Sequence, residues 1–177
     1  MHDGLHINRR QLLKLGTAAS LALGTIGAAA TLSGCSPSRP AQEYLVLRDI
    51  DLPMLAALYP ALIGPHPALL ANPGLIQNAL RQLDETLAHT SPDIQKQVRD
   101  ILDLLTFAPS RGLLTGIWSS WDQADPGRID DFLQRWRDSR LELLRACYKI
   151  LGQLLQMSWY ALPPSWEAAG YPGPPTI

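Results

Sequence analysis

Three times after residue 50 a residue with a short capping side chain stands directly before proline, at Asn72-Pro73, Ser91-Pro92 and Asp125-Pro126. The pairing marks a helix start. The cap oxygen accepts a bond from an orphan amide of the first turn, while proline, with no N–H to leave unsatisfied, takes the first helical position with its φ already set. Fifteen prolines in 177 residues would be many for a helical protein, but here they stand at element starts and in the C-terminal tail. After Asn72 the apolar residues Leu75, Ile76, Ala79, Leu80, Leu83 and Leu87 fall on one face. After Ser91 so do Ile94, Val98, Ile101, Leu102 and Leu105. Both segments are amphipathic and must be covered on one side.

Asp51 reads as a further cap, with Pro53 in the first turn of a helix over Met54 to Leu62 that Gly64-Pro65-His66-Pro67 breaks. The preceding run Tyr44 to Ile50 is either a short strand or an extended lead-in. Pro109 to Asp125 is a break holding a helical piece no longer than Leu113 to Trp121. Beyond Pro126, Ile129, Phe132, Leu133 and Trp136 share a face, and Leu141, Leu144, Tyr148, Leu151 and Leu155 form the longest periodic stripe. Ser139 and Glu142 have the spacing of a capping box that separates two helices at Asp138; otherwise the helix runs through. Pro163-Pro164-Ser165-Trp166 opens one turn, and Gly170 to Pro175 ends the chain in a polyproline-like tail. The expectation is an all-α fold: one small bundle of five or six helices with an extended Pro/Gly tail.

Ahead of that domain stands NRRQLLKLG, in which Arg9, Arg10 and Lys14 precede an uncharged run from Leu15 to Leu32. It resembles a twin-arginine export leader, with Asn8 and Leu12 where Ser or Thr and Phe are usual. Leu32-Ser33-Gly34-Cys35 resembles the lipobox of bacterial lipoproteins, which makes Cys35 the acylated first residue of the mature chain. Small residues leave the backbone open to the peptidase, and a thiolate attacks the lipid donor. One acyl chain binds a membrane marginally, so a diacylglyceryl group is the least that anchors stably. A cleaved leader without lipid, or an uncleaved anchor spanning Leu15 to Leu32, are the alternatives. The division that follows is residues 1–34 signal peptide, 35–43 tether and 44–177 helical domain. Ser36 after the cysteine, rather than Asp, favours onward sorting by the same resemblance.

Of 15 Lys and Arg and 16 Asp and Glu, three basic residues and one acid fall in the leader, leaving 12 against 15. Such a domain has no cationic surplus for nucleic acid. Two cysteines, one of them Cys35, leave Cys147 without a partner. His66 and His89 read as surface histidines, and Asp84-Glu85 and Asp130-Asp131 as solvated helix faces. No zinc, haem, phosphate-loop or nucleophile-elbow motif occurs in the sequence. Of five tryptophans, Trp136 and Trp159 sit at helical spacing and belong in the core, whereas Trp118, Trp121 and Trp166 lie at breaks and ends, where tryptophan serves interfaces.

Three stretches carry a further resemblance: Arg111 to Trp118 (RGLLTGIW), Trp136 to Arg140 (WRDSR), and Tyr160-x-x-Pro163-x-x-Trp166-x-x-x-Gly170-Tyr171-Pro172-Gly173-Pro174. Together they are similar to the gluconate 2-dehydrogenase subunit 3 family, small subunits of membrane-bound sugar and alcohol dehydrogenases. The resemblance implies a subunit without catalysis of its own. Its partners would be an FAD-containing large subunit of the glucose-methanol-choline class and, often, a cytochrome subunit with haem c. The small subunit supplies the leader for a leaderless, folded flavoprotein and holds it on the periplasmic side of the membrane. Trp118, Trp121, Trp166, Gly170, Tyr171, Pro172, Gly173 and Pro174 are the expected partner interface. A stand-alone periplasmic lipoprotein with a structural or binding role is the other reading, and an enzyme using Cys147 or His66 a third.

Overall fold

Ser91 Oγ accepts the amide of Ile94 at 3.4 Å, and Asp125 Oδ1 accepts that of Arg128 at 3.0 Å. Both caps open helices of an all-α bundle in a computed structural model that describes residues 39–173. In chain order the helices are α1 (Asp51–Ile63), α2 (Pro67–Ala71), α3 (Leu75–Ala88), α4 (Pro92–Thr106), α5 (Ala108–Thr115), α6 (Pro126–Arg137), α7 (Glu142–Tyr160) and α8 (Trp166–Ala169). 3₁₀ turns lie at Trp121–Gln123 and Pro163–Ser165. The expected five or six helices are α1, α3, α4, α6, α7 and the shorter α5, with α2 and α8 as brief additions. No helix among the described residues is long and apolar enough to cross a membrane.

Several local expectations shift. Asn72 does not cap: its Oδ1 accepts the amide of Gly74 at 3.0 Å, so the side chain closes a turn and α3 starts from Gly74. The helical piece inside Pro109–Asp125 is α5, earlier than Leu113–Trp121, because Gly116 adopts φ 79° and ends it. Only glycine takes that left-handed cap without strain. Helices α6 and α7 do separate, but no capping box forms; Ser139 Oγ accepts the amide of Leu141 at 3.1 Å, and Leu141 becomes an exposed N-cap residue outside the stripe. Ile94, in the first turn of α4, is likewise exposed. The segment 44–50 forms turns and no strand.

Helix α1 is the hub, packing on α3, α4, α6 and α7, while α7 also packs on α3 and α6. Met54, Leu55, Leu58 and Tyr59 enter the core from α1 and meet Leu151, Leu155 and Trp159 of α7 in one apolar cluster. Ser158 Oγ lies within bonding distance of the Leu154 and Leu155 carbonyls, which take its single proton. The buried Tyr59 hydroxyl is therefore the donor in its 2.6 Å bond to Ser158 Oγ, and burial pushes that phenol well above its usual pKa. Trp121, Phe132 and Trp136 stack edge to face, with centroids 6.0 and 5.6 Å apart.

The lead-in to α1 is held by charge. Asp84 on α3 is buried, and its carboxylate accepts the amides of Leu45 at 2.6 Å, Val46 at 2.9 Å and Leu47 at 2.8 Å. This overturns its expected solvated face; Glu85, Asp130 and Asp131 are exposed as expected. Three consecutive backbone donors meeting one carboxylate form an anion nest, which compensates the buried charge. Asp51, expected to cap α1, sits buried in its first turn instead. Its Oδ2 accepts from Arg48 N and Nε, each at 2.9 Å, and its Oδ1 from Arg48 Nη2 at 2.8 Å. Arg48 Nη2 also lies 2.7 Å from Asp103 Oδ1 on α4, an ion contact off the hydrogen-bonding directions. The Asp51 hydrogen bond is the main cause holding the Arg48 guanidinium above its ordinary pKa. Asp84→Ala strands three amides, that of Leu47 buried and the other two partly so, and is expected to lower unfolding stability by about 3 kcal/mol. Glu85→Ala, on the exposed face, should stay within about 0.5 kcal/mol. Urea denaturation measures both, and an Asp84→Ala midpoint equal to the parent's would show that the nest does not hold the lead-in.

Candidate partner interface

The stretch Arg111 to Trp118 is a fixed turn rather than a loose connection. Arg111 is buried on α5 and reaches forward, Nε donating to the Ile117 carbonyl at 3.2 Å and Nη2 to that of Trp118 at 3.4 Å. Thr115 Oγ1 donates to the Arg111 carbonyl at 2.7 Å and accepts the Ile117 amide at 3.0 Å. From α6, Arg135 Nη2 donates to the Thr115 carbonyl at 2.6 Å and Trp136 Nε1 to that of Leu114 at 3.1 Å. Carbonyls that the end of α5 would leave orphaned thus meet donors, and the arginine charges sit where the helix dipole favours them.

This turn sets Trp118 on the backbone of α5 at Gly112. A β-carbon at Gly112 would stand only 2.4 to 2.6 Å from three atoms of the indole ring, so this approach requires glycine. Even so, Trp118 is 65% exposed, and the neighbouring Leu113 is 80% exposed. An exposed tryptophan whose position is fixed by its neighbours loses little rotamer freedom on binding, which is the property of an interface anchor.

The C-terminal stretch is also built. Trp166 Nε1 donates to the Tyr160 carbonyl at 2.9 Å, and Tyr171 folds back so that its amide reaches the Trp166 carbonyl at 3.0 Å. Their rings meet edge to face at 5.5 Å. Gly170 and Gly173 both have positive φ, and a β-carbon at Gly173 would stand 3.2 Å from the Trp166 ring. The tail therefore wraps its own tryptophan as far as Gly173 instead of running free. Trp166 is half-buried, Tyr171 is 49% exposed and Pro172 is exposed. Pro174 lies outside the described residues, as do Arg9, Arg10, Lys14 and Cys35.

Trp121 corrects the expectation that placed it at an interface. It is buried in the aromatic row, and its Nε1 donates to the Leu105 carbonyl of α4 at 2.8 Å. Trp136 and Trp159 are in the core as expected. His66 is also buried, against expectation: its Nδ1 accepts the Ala68 amide at 3.3 Å to cap α2, and its ring meets Trp159 edge to face at 5.0 Å. His89 is exposed at the end of α3, with Nδ1 2.7 Å from the Glu85 carbonyl. Cys147 is free and buried, and desolvation raises its thiol pKa, which disfavours the reactive thiolate. Among the described residues no group of three His, Cys, Asp or Glu side chains is placed to hold a metal ion.

No family model, no curated protein and no solved structure matches the chain. Arg111→Ala should loosen the turn without unfolding the bundle. Amide hydrogen exchange at residue 117, whose N–H is held by Thr115 Oγ1, is expected to rise about tenfold, which corresponds to about 1.4 kcal/mol of lost hydrogen bonding, with α3 unaffected. Lysine at the same place cannot span both carbonyls and should fall between the two. Unchanged exchange in the alanine variant would mean that the guanidinium does not fix Trp118.

Proposed function

We propose that the chain is the small, non-catalytic subunit of a membrane-bound, FAD-dependent dehydrogenase of the glucose-methanol-choline class. Its leader, with Arg9, Arg10 and Lys14, takes a folded and flavin-loaded large subunit through the twin-arginine route. Cys35 then carries the lipid that keeps the complex on the periplasmic side, where a haem c cytochrome receives the electrons. The reading rests on residues rather than on a matched relative: the leader, the lipobox and the three stretches of family resemblance.

One observation carries it furthest. The stretch RGLLTGIW fixes its backbone by a set of internal hydrogen bonds and leaves the Trp118 ring and the Leu113 side chain largely exposed. A helical domain of this size has no need of a route for folded cargo unless something folded travels with it. Binding of that passenger at Trp118 supplies the reason for both.

Changing Arg9 and Arg10 together to Lys is the direct test. Flavoprotein activity in the periplasm is expected to fall to background while the flavoprotein accumulates, folded, in the cytoplasm; undiminished periplasmic activity would end the escort reading. Trp118→Ala should weaken the complex by about 2 kcal/mol, roughly thirtyfold in Kd, with the thermal midpoint of the free subunit unchanged. A stand-alone lipoprotein would copurify with no flavoprotein at all.

A further inference from the structure

A helix on a protein surface keeps one apolar stripe and turns polar side chains outward. Helix α1 does not. Its only polar side chains are Asp51 and Tyr59, and both are buried. What it turns outward is Ala56, Ala57, Pro60 and Ala61, which form one wall of a groove of about 650 Å³. Trp121 and Ile129 stand on the opposite side, and Asp122 and Asp130 supply the only charged side chains of its lining.

The hydrogen-bonding character of the groove is one-sided. Trp121 is the one lining side chain with an N–H, and that proton is committed to the Leu105 carbonyl. Pro60, within α1, has no amide to give the Ala56 carbonyl, so that acceptor lacks its usual i+4 donor. The side chains lining the groove therefore offer two carboxylates and no free donor. An apolar ligand of negative charge, or one rich in acceptors, would leave these groups opposed.

We infer that this groove receives a cationic and otherwise apolar segment of a partner protein, its Lys or Arg side chains reaching Asp122 and Asp130. Small side chains along α1 let a second backbone approach closely, and the wall from Pro53 to Gly64 runs about 17 Å along the helix, the length of three turns. That length and the open form suit a docked helix better than a small organic cation, which needs enclosure. The inference stands on the groove alone and does not require the partner to be a flavoprotein.

The test places the photo-cross-linker p-benzoylphenylalanine at Ala57 or Ala61 of the full chain in its own cell, and sequences the peptides captured by light. The expected product is one segment of a second protein, apolar with Lys or Arg flanking the cross-linked position. Asp122→Lys with Asp130→Lys should cut its yield by about tenfold or more. Both carboxylates are exposed, so the thermal midpoint should hold. An acidic segment, a second copy of the chain, lipid, no product, or a yield indifferent to the charge reversal would each overturn the inference. A basic apolar segment from a protein other than a flavoprotein would uphold it and leave the escort reading to stand or fall on the Arg9 and Arg10 variant.

Discussion

The carboxylate of Asp84, closed over by the amides of Leu45, Val46 and Leu47, is the interaction on which the rest of the bundle depends. Those three residues have no helix or sheet to satisfy their backbone, and an amide buried without an acceptor costs about 1 to 3 kcal/mol. One side chain from α3 supplies all three acceptor sites. The consequence is positional. With the lead-in fixed to α3, Arg48 reaches Asp51 and Asp103 together, and α1 leaves the turn in contact with both α3 and α4. The helix that every other long element touches is thus aimed by these charges as well as by the apolar contacts of Leu47 and its own core face.

Much of this could be read along the chain, and the part that could not is of one kind. Ser91 and Asp125 act within three residues of themselves, so their caps were legible from spacing. Asp84 acts across 37 to 39 residues, and nothing near it in sequence names its partners. A local signal did exist. Asp84 stands four residues after Leu80 and three before Leu87, on the apolar face of α3, where a solvated carboxylate has no place. His66 left a similar trace. Followed directly by Pro67, it is a fourth instance of the cap-and-proline pairing, with an imidazole nitrogen as the accepting atom.

Stripes were read correctly through their middles and wrongly at their ends. Leu141 and Ile94 have the right phase but lie at or beside helix starts, where the neighbouring helix no longer covers them. In α7 the buried face continues through Cys147 and Ser158, residues a search for aliphatic side chains passes over, to Trp159, which was expected there. Ser158 can sit there because its hydroxyl is satisfied by carbonyls of its own helix and still accepts from Tyr59.

Trp118 and Trp121 stand three residues apart, yet one lies outside the fold and the other in its core. Hydrophobicity does not separate them; hydrogen bonding does. The indole N–H of Trp121 finds the Leu105 carbonyl at the end of α4, so the ring can be buried with its polar atom satisfied. The backbone at Trp118 is instead held by Arg111, and the ring rests on a glycine that gives it a floor but leaves most of it uncovered. Trp159 marks the limit of this rule, because its Nε1 is buried with no acceptor. Burying so large a ring contributes about 3 kcal/mol, enough to offset one stranded donor of about 1 to 3 kcal/mol. Deep burial of an aromatic ring can therefore tolerate a lost hydrogen bond, whereas exposure of one, as at Trp118, requires that the backbone beneath it be fixed by other residues.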